Sequence, residues 1–246
     1  MMRMRAMMLT LAAAAPAAAQ DVPSAGVTAS AEMTSDEVRR GLSWSGGRAA
    51  VAGELRGSRG ALDVSVRAVT LRDSPRHAGA EAVVDLTAGT GWDLGAIRLD
   101  ATATGHLFAG ARGRMDYVEF GATAGYGYGP IYATLGVAVA PSQDAIGGSN
   151  VHVRADANAG IPGTPFTLLA GLGRSSGSVT DPVRADRLRP GGSYVDWRLG
   201  VEHRRDRLTF GIDYLGTDVA QADASTRFTD ARHAGDRLVG RAQLSF

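Results

Sequence analysis

The chain has 246 residues and a formal net charge of +1, from 26 basic and 25 acidic side chains. Every basic residue is an arginine and no cluster of positive charge stands out, which argues against a nucleic-acid partner. The chain has no cysteine, so a disulfide framework and a thiolate metal or redox site are both excluded.

The first twenty residues have the pattern of a secretory signal peptide. Two early arginines and an apolar run over residues 7–15 precede the small residues Ala17–Ala19. We expect cleavage immediately before or after Gln20, which leaves 24 arginines against 25 acidic residues. The apolar run is too short to span a bilayer. We therefore predict a signal peptide over residues 1–20 and a single barrel domain over residues 21–246.

From Gly26 onward the chain repeats segments of about ten residues in which apolar and polar side chains alternate. The clearest is 131–139, where Ile131, Leu135 and Val139 share one apolar face. Such alternation is typical of a membrane β-barrel, whose strands have one face toward lipid and one toward the lumen. The twelve predicted strands are 26–34, 47–57, 61–71, 78–88, 94–105, 116–127, 130–140, 150–160, 165–173, 193–203, 207–215 and 236–246.

Short and long connections alternate between these segments. The tight turns are predicted at 57–60, 89–92, 127–130, 160–163 and 204–206. The connections between them are mostly longer and more polar, such as 35–46, 141–149, 174–192 and 216–235. Outer-membrane barrels have short periplasmic turns, long outer loops and an even number of strands. The pattern therefore predicts an all-β protein, an antiparallel transmembrane β-barrel of 12 strands in the bacterial outer membrane.

The last ten residues alternate in the same way and stop on the aromatic residue Phe246. This ending resembles the closing strand of outer-membrane barrels, which makes the barrel-assembly machinery an expected partner. The alternative is a soluble periplasmic β-sandwich or lipocalin-like barrel, since a sheet with one buried face alternates similarly. That alternative explains neither the terminal aromatic residue nor the alternation of short and long connections.

Charged side chains fall on the face opposite the apolar one. An arginine facing lipid at the bilayer midplane costs about 2–4 kcal/mol, so we expect these groups to point inward. The predicted pore-lining residues are Arg48, Glu54, Asp63, Arg67, Glu81, Asp85, Arg98, Asp100, Glu119, His152, Arg154, Asp156, Asp196, Arg198, Glu202, Asp213 and Arg241. They either pair across strands and fill the lumen or polarise the wall of a water-filled pore. Small lumen-facing residues such as Gly121 and Gly136 leave free volume in the lumen, which favours a narrow pore over a completely filled barrel.

Arginines also occur in the predicted outer loops. The outer-loop residues of interest are Arg39, Arg40, Arg184, Arg187 and Arg189. Guanidinium groups bind phosphate and carboxylate bidentately, so outer-membrane lipid and lipopolysaccharide are expected partners. Two alternatives stay open: a solvated turn at 39–41, and an inward fold of loop 174–192 that narrows the pore.

No motif indicates an enzyme or a cofactor. Of the five histidines only His152 lies in the middle of a predicted strand, facing the lumen. No G-x-S-x-G or comparable serine motif accompanies it, which favours a packing role over a catalytic one. No histidine and carboxylate cluster has metal-ligand spacing.

Residues 35–43, followed by 47–53, resemble the opening signature of the TorF family of porins, with its Ser-Asp…Arg-Gly-(Ile/Leu)-Ser loop between the first two strands. The pair Glu81 and Asp85 and the segment 116–119 resemble recurrent acidic strands of that family. The chain departs from the pattern at Glu37, where the family usually has an aromatic residue. The resemblance implies a porin-like barrel without a defined solute.

Together these features predict a porin-like outer-membrane channel for passive diffusion of small hydrophilic solutes or ions. The alternative is a non-conducting structural or adhesive barrel that acts through its extracellular loops.

Overall fold

The structure is a computed structural model that describes residues 26–220 and 228–246, so the predicted signal peptide lies outside the described residues. In chain order the strands are β1 (Gly26–Thr34), β2 (Val38–Arg39), β3 (Leu42–Ser43), β4 (Ala50–Arg59), β5 (Leu62–Ser74), β6 (Ala80–Leu94), β7 (Ile97–Ala109), β8 (Tyr117–Tyr128), β9 (Ile131–Gln143), β10 (Gly148–Gly160), β11 (Phe166–Ser176), β12 (Tyr194–Arg205), β13 (Leu208–Thr217) and β14 (Arg237–Ser245). A short helix, α1 (Pro182–Ala185), lies between β11 and β12, and 3₁₀ turns occupy Pro75–His77, Asp144–Ile146 and Ala231–His233.

Twelve of these strands form one closed antiparallel barrel, which confirms the predicted architecture. Each pairs with its neighbours in the order of the chain, and β1 closes the barrel by pairing with β14, with Ser30 opposite Ser245. The remaining two, β2 and β3, form a separate hairpin within the connection from β1 to β4. The barrel has a turn end, where the tight connections lie, and a loop end, where the longer ones lie.

Two predicted connections differ from the structure. The turn predicted at 89–92 is wrong: β6 continues through it to Leu94, and Gly91 pairs with Asp100. The reversal occurs at Gly95, whose φ of +65° suits a tight turn, whereas the alternating Thr90 and Trp92 favour the extended chain. The connection at 141–149 is also shorter than predicted, because β9 extends to Gln143 and β10 begins at Gly148.

The alternation of each strand separates an apolar outer face from a polar inner one. In β14, Leu238 is 71% exposed on the outside, whereas Val239 and Arg241 face inward. Exposed apolar side chains continue around the barrel, including Leu55, Leu135, Leu172, Leu199 and Ile212. Such a continuous apolar belt suits contact with lipid. Within the described ranges, no helix has the length and apolar character needed to cross a membrane.

The largest apolar cluster is buried at the loop end, inside the barrel wall. We call it the mouth cluster, and its principal members are Trp44, Val69, Leu71, Tyr117, Ile146 and Leu188. It joins side chains from the barrel strands to side chains from the connecting loops. The loops therefore pack over the barrel mouth instead of extending away from it.

Candidate functional site

The barrel lumen contains a cavity of about 480 Å³, to which every barrel strand contributes at least one residue. The predicted pore-lining residues that it brings together are Glu54, Arg67, Asp85, Asp100, Glu119, His152, Arg154, Asp156, Asp196, Arg198, Asp213 and Arg241. In all, ten carboxylates and six guanidinium groups line the cavity, an excess of four carboxylates. The cavity wall therefore carries charged groups of both signs.

The other five predicted pore-lining residues lie elsewhere. Asp63 is buried inside β5 near the turn end, and Arg98 pairs there with the Asp100 carboxylate at 2.9 Å. Glu202 is buried and accepts a hydrogen bond from Arg241. Arg48 and Glu81 differ from the prediction: both are exposed at the loop end, because Arg48 belongs to a loop and Glu81 to the extreme end of β6.

A loop enters the lumen between β1 and β4. Residues 36–45, which we call the lumen hairpin, include β2 and β3 and present two arginines to the barrel wall. Arg39 donates two hydrogen bonds to Asp85, at 3.2 and 2.7 Å. Arg40 donates to both carboxylate oxygens of Glu119, at 2.5 and 2.6 Å. The hairpin is thus fixed by charge-assisted hydrogen bonds to β6 and β8.

Further contacts attach the hairpin to the wall on its other sides. Glu37 accepts hydrogen bonds from Arg67 on β5 at 2.9 and 3.2 Å. The Tyr194 hydroxyl donates to the Arg40 carbonyl at 3.0 Å, and Arg237 donates to the Gly41 carbonyl. The hairpin therefore constricts the lumen from a central position, which sequence reasoning missed. The sequence feature that could have indicated such a hairpin is the dense mixture of acidic and basic residues at 36–40.

The hairpin turn depends on two residues with positive φ, Arg40 at 52° and Gly41 at 71°. A Cβ at position 41 would lie only 2.9 Å from the Gly216 carbonyl oxygen, besides overlapping Thr217. Glycine is therefore required for both its backbone freedom and its small size.

The remaining loops close the mouth around Arg187, whose side chain is fully buried. Arg187 donates to the carbonyls of Met115 at 2.7 Å and Ala145 at 3.1 Å, and to Nδ1 of His77 at 3.0 Å. Arg76, also fully buried, donates to the Arg187 carbonyl at 2.9 Å. Burial lowers the pKa of Arg76 and of Arg187 to about 10 each, so both stay charged at neutral pH.

The other predicted outer-loop arginines fall into two groups. Arg189 is buried and donates to the Ser178 carbonyl at 2.7 Å, so it holds its own loop together. Arg184 stays partly exposed, with Asp181 at 3.5 Å. Loop 174–192 thus covers the mouth, whereas Arg39 and Arg40 come from the loop that enters the lumen.

His152 lies beside a serine and a carboxylate without forming a catalytic triad. Its Nδ1 is 3.0 Å from Ser175 Oγ and 3.7 Å from Asp196 Oδ1. A triad needs the serine and the carboxylate on opposite ring nitrogens, and here both approach the same one. Across residues 26–220 and 228–246, no group of three histidine, aspartate or glutamate side chains is arranged to hold a metal ion.

Solved structures with a similar fold include membrane channels. The COG4313 outer membrane channel from Pseudomonas putida F1 is 12% identical, with 95% of this chain and 100% of that chain covered and a TM-score of 0.56. A protein from a study of the in-meso crystallization of membrane proteins is 11% identical, with 89% and 83% covered and a TM-score of 0.50.

At these identities the likeness shows the fold, which is that of an outer-membrane β-barrel. No curated protein sequence matches the chain. A family model described as "Bacterial protein of unknown function (Gcw_chp)" matches residues 17–241, and the chain therefore belongs to the Gcw_chp family.

Proposed function

We propose that the protein is an outer-membrane channel of narrow bore, through which small hydrophilic solutes or ions diffuse passively. The observation that carries this proposal is the cavity of about 480 Å³, which is lined from all twelve barrel strands, is rich in charged side chains and lies inside a barrel with an apolar outer face. Polar walls with charged groups favour hydrated solutes and set their selectivity. The proposal includes no catalytic step and no cofactor.

The proposal places the chain in the bacterial outer membrane after removal of residues 1–20, with 21–246 as one domain. The turn end then faces the periplasm and the loop end faces outward, as in other barrels of this kind. The barrel-assembly machinery would read β14 and Phe246. The TorF resemblance is compatible with this function and stays a prediction beside the Gcw_chp assignment.

Lipid and lipopolysaccharide are the proposed surroundings. The apolar belt would contact acyl chains, and the exposed arginines Arg48, Arg72 and Arg112 at the loop end would approach phosphate groups, as would the partly exposed Arg184. The other predicted outer-loop arginines do not take part in the proposed contact with lipopolysaccharide. Arg39 and Arg40 point into the lumen, and Arg187 and Arg189 are buried in the mouth.

A non-conducting barrel is the second candidate, and two observations favour it. The lumen hairpin is anchored on several sides, and the mouth cluster fills the loop end with apolar side chains. A barrel filled in this way would serve a structural or adhesive role through its outer surface.

Single-channel recording in planar bilayers separates the two candidates. The refolded wild type is compared with the double variant Arg39→Ala/Arg40→Ala, which releases the hairpin, and with Arg48→Ala, an exposed arginine of the same loop. We expect discrete salt-dependent steps for the wild type and Arg48→Ala, and larger steps for the double variant. Steps from the double variant alone would overturn constitutive diffusion and indicate a barrel closed by its hairpin. Folded barrels without steps in all three would overturn the channel and favour the structural role.

A further inference from the structure

We propose that Asp196 is the central residue of a lumen site for a small organic cation, of the ammonium or guanidinium class. The inference rests on the proposed function and deepens it, because it names the class of solute that the channel would bind. It depends on the charge pairing inside the cavity, on the unpartnered Oδ1 atom of Asp196 and on the residues beside that side chain.

Asp196 differs from every other carboxylate that lines the cavity. Each of the other nine has a guanidinium nitrogen within 4.0 Å, as Asp85 has Arg39 and Asp213 has Arg198. In the part of the chain that the structure describes, Asp196 has no such arginine partner, and the only basic side chain within 4.0 Å of its carboxylate is the His152 imidazole at 3.7 Å. Among the carboxylates that line the cavity, Asp196 is therefore the one whose charge no described arginine within 4.0 Å balances.

The basic groups around Asp196 have other partners. Arg40 donates to Glu119, and Arg154 donates to Asp156 at 2.7 Å. His152 is hydrogen-bonded through Nδ1 to Ser175 at 3.0 Å. The Oδ1 atom of Asp196 is buried without a hydrogen-bond partner. A carboxylate without a nearby opposite charge is costly in such surroundings, and a cation bound against its exposed part would supply that charge.

The wall beside Asp196 is made of small residues. Gly173 lies opposite it on β11, and a Cβ at position 173 would lie 2.7 Å from Asp196 Oδ1. Gly171 continues the same inward face, and the tip of the lumen hairpin, Gly41, lies over the other side. With glycine at position 173 no side chain covers the carboxylate from β11, and the Asp196 side chain keeps 15% of its surface exposed.

The size and chemistry of the site suit a small cation with several N–H donors. A cavity of about 480 Å³ is in the range of ordinary small-molecule pockets, about 300–1,000 Å³. A guanidinium or ammonium group can donate charge-assisted hydrogen bonds to the carboxylate. Methylguanidinium is therefore the appropriate probe.

Titration calorimetry of the refolded full chain with methylguanidinium chloride tests the site. We expect saturable binding to the wild type and at least tenfold weaker binding to Asp196→Asn. The matched control is Asp93→Asn, which also replaces a carboxylate by an amide but lies outside the cavity, half-exposed near the turn end. Its affinity should stay within twofold of the wild type. Equal binding by wild type and Asp196→Asn would overturn the site, as would the absence of saturable binding by the wild type.

A second variant covers the case in which Asp196→Asn does not fold. Gly173→Ala would place its Cβ against Asp196 and His152, and we expect it to weaken binding at least fivefold. Unchanged affinity in this variant would contradict the site. Conductance is recorded separately: binding without conductance keeps the site and overturns the channel, whereas conductance without binding overturns the site alone.

Discussion

Arg39 in the lumen hairpin forms a bidentate ion pair with Asp85 in the middle of β6, with contacts of 3.2 and 2.7 Å. The two residues are 46 positions apart in the sequence. His106 approaches the same carboxylate at 2.7 Å, and the Arg39 guanidinium lies 4.2 Å from the ring centre of Trp44. The pair therefore connects the barrel wall, the hairpin and the mouth cluster.

We predict that Arg39 and Asp85 are energetically coupled. Arg39→Ala should lower the free energy of unfolding by about 3–5 kcal/mol, because it leaves a buried carboxylate without its principal partner. In a double-mutant cycle with Asp85→Ala the coupling energy should be about 1.5–3 kcal/mol. Urea unfolding of the refolded barrel measures both quantities. Arg48→Ala should change stability by less than about 0.5 kcal/mol. Strict additivity of the two single variants would contradict the coupling.

We predict that Gly41→Ala displaces the lumen hairpin. Its φ of +71° strains an alanine, and the new Cβ would overlap Thr217 and approach the Gly216 carbonyl oxygen. Gly60→Ala is the matched control, since Gly60 has a φ of +60° but no atom within 4 Å of the added Cβ. We expect Gly41→Ala to cost at least about 1–2 kcal/mol more than the control, as overpacking usually does. Comparable losses of stability in the two variants would show that the contacts at Gly41 are unimportant.

The same displacement should be visible in conductance. Because the hairpin occupies the lumen, Gly41→Ala should give larger single-channel steps than the wild type, and Gly60→Ala should not. Steps of unchanged size in a folded Gly41→Ala barrel would mean that the hairpin does not limit the bore.

The barrel itself could be predicted because its information is local. In residues 131–139 and 151–158 every second side chain is apolar, which specifies both the strand and its two faces. The turn predicted at 89–92 is wrong for a local reason too. Gly89 and Gly91 are typical turn residues, yet both belong to β6 and pair with residues of β7. Glycine permits a turn without requiring one.

Such patterns do not indicate that the lumen hairpin enters the barrel, and they leave an inward fold of loop 174–192 as only one alternative. The lumen hairpin depends on contacts such as Arg40 with Glu119, 79 residues apart, and the mouth depends on Arg187 with His77, 110 residues apart. A run of charged residues in a loop is ordinarily solvated. Arg39 and Arg40 are stabilised inside the lumen only because the closed barrel places the Asp85 and Glu119 carboxylates there. Likewise Asp196 is distinguished only by what surrounds it in space.

We predict that Arg187→Met opens the mouth to protease. The methionine would fill part of the space but leave the Met115 and Ala145 carbonyls without their donor, at about 1–3 kcal/mol for each unsatisfied group. Arg184→Met, in the same loop but partly exposed, is the control. Proteinase K treatment of the refolded barrel should cut the loops of Arg187→Met at least several-fold faster than those of the control. Equal cleavage rates would show that Arg187 does not hold the mouth closed.

We predict that the mouth loses stability in acid through His77. Burial, followed by the nearby charges of Arg187 and Arg76, holds the pKa of His77 well below its usual value of 6.5. As the pH falls below about 6.5 the unfolded chain therefore binds a proton that the folded chain does not, and the stability conferred above that pH is lost. The loss should approach about 1.4 kcal/mol for each pH unit, or about 2 kcal/mol at pH 5.

Unfolding in urea between pH 7.5 and 5, compared for wild type and His77→Asn, isolates this contribution. Asparagine can still accept from Arg187 through its amide oxygen but does not titrate in this range. It gives up the stacking of His77 on Phe108, whose ring centres are 4.7 Å apart, so its stability should be lower at every pH. The two proteins should differ in how steeply the free energy of unfolding falls with pH. Between pH 7.5 and 5 the variant should lose about 2 kcal/mol less of it than the wild type. Parallel pH profiles would mean that His77 is already protonated in the folded mouth, or that the mouth opens before the barrel unfolds, and either result would contradict the prediction.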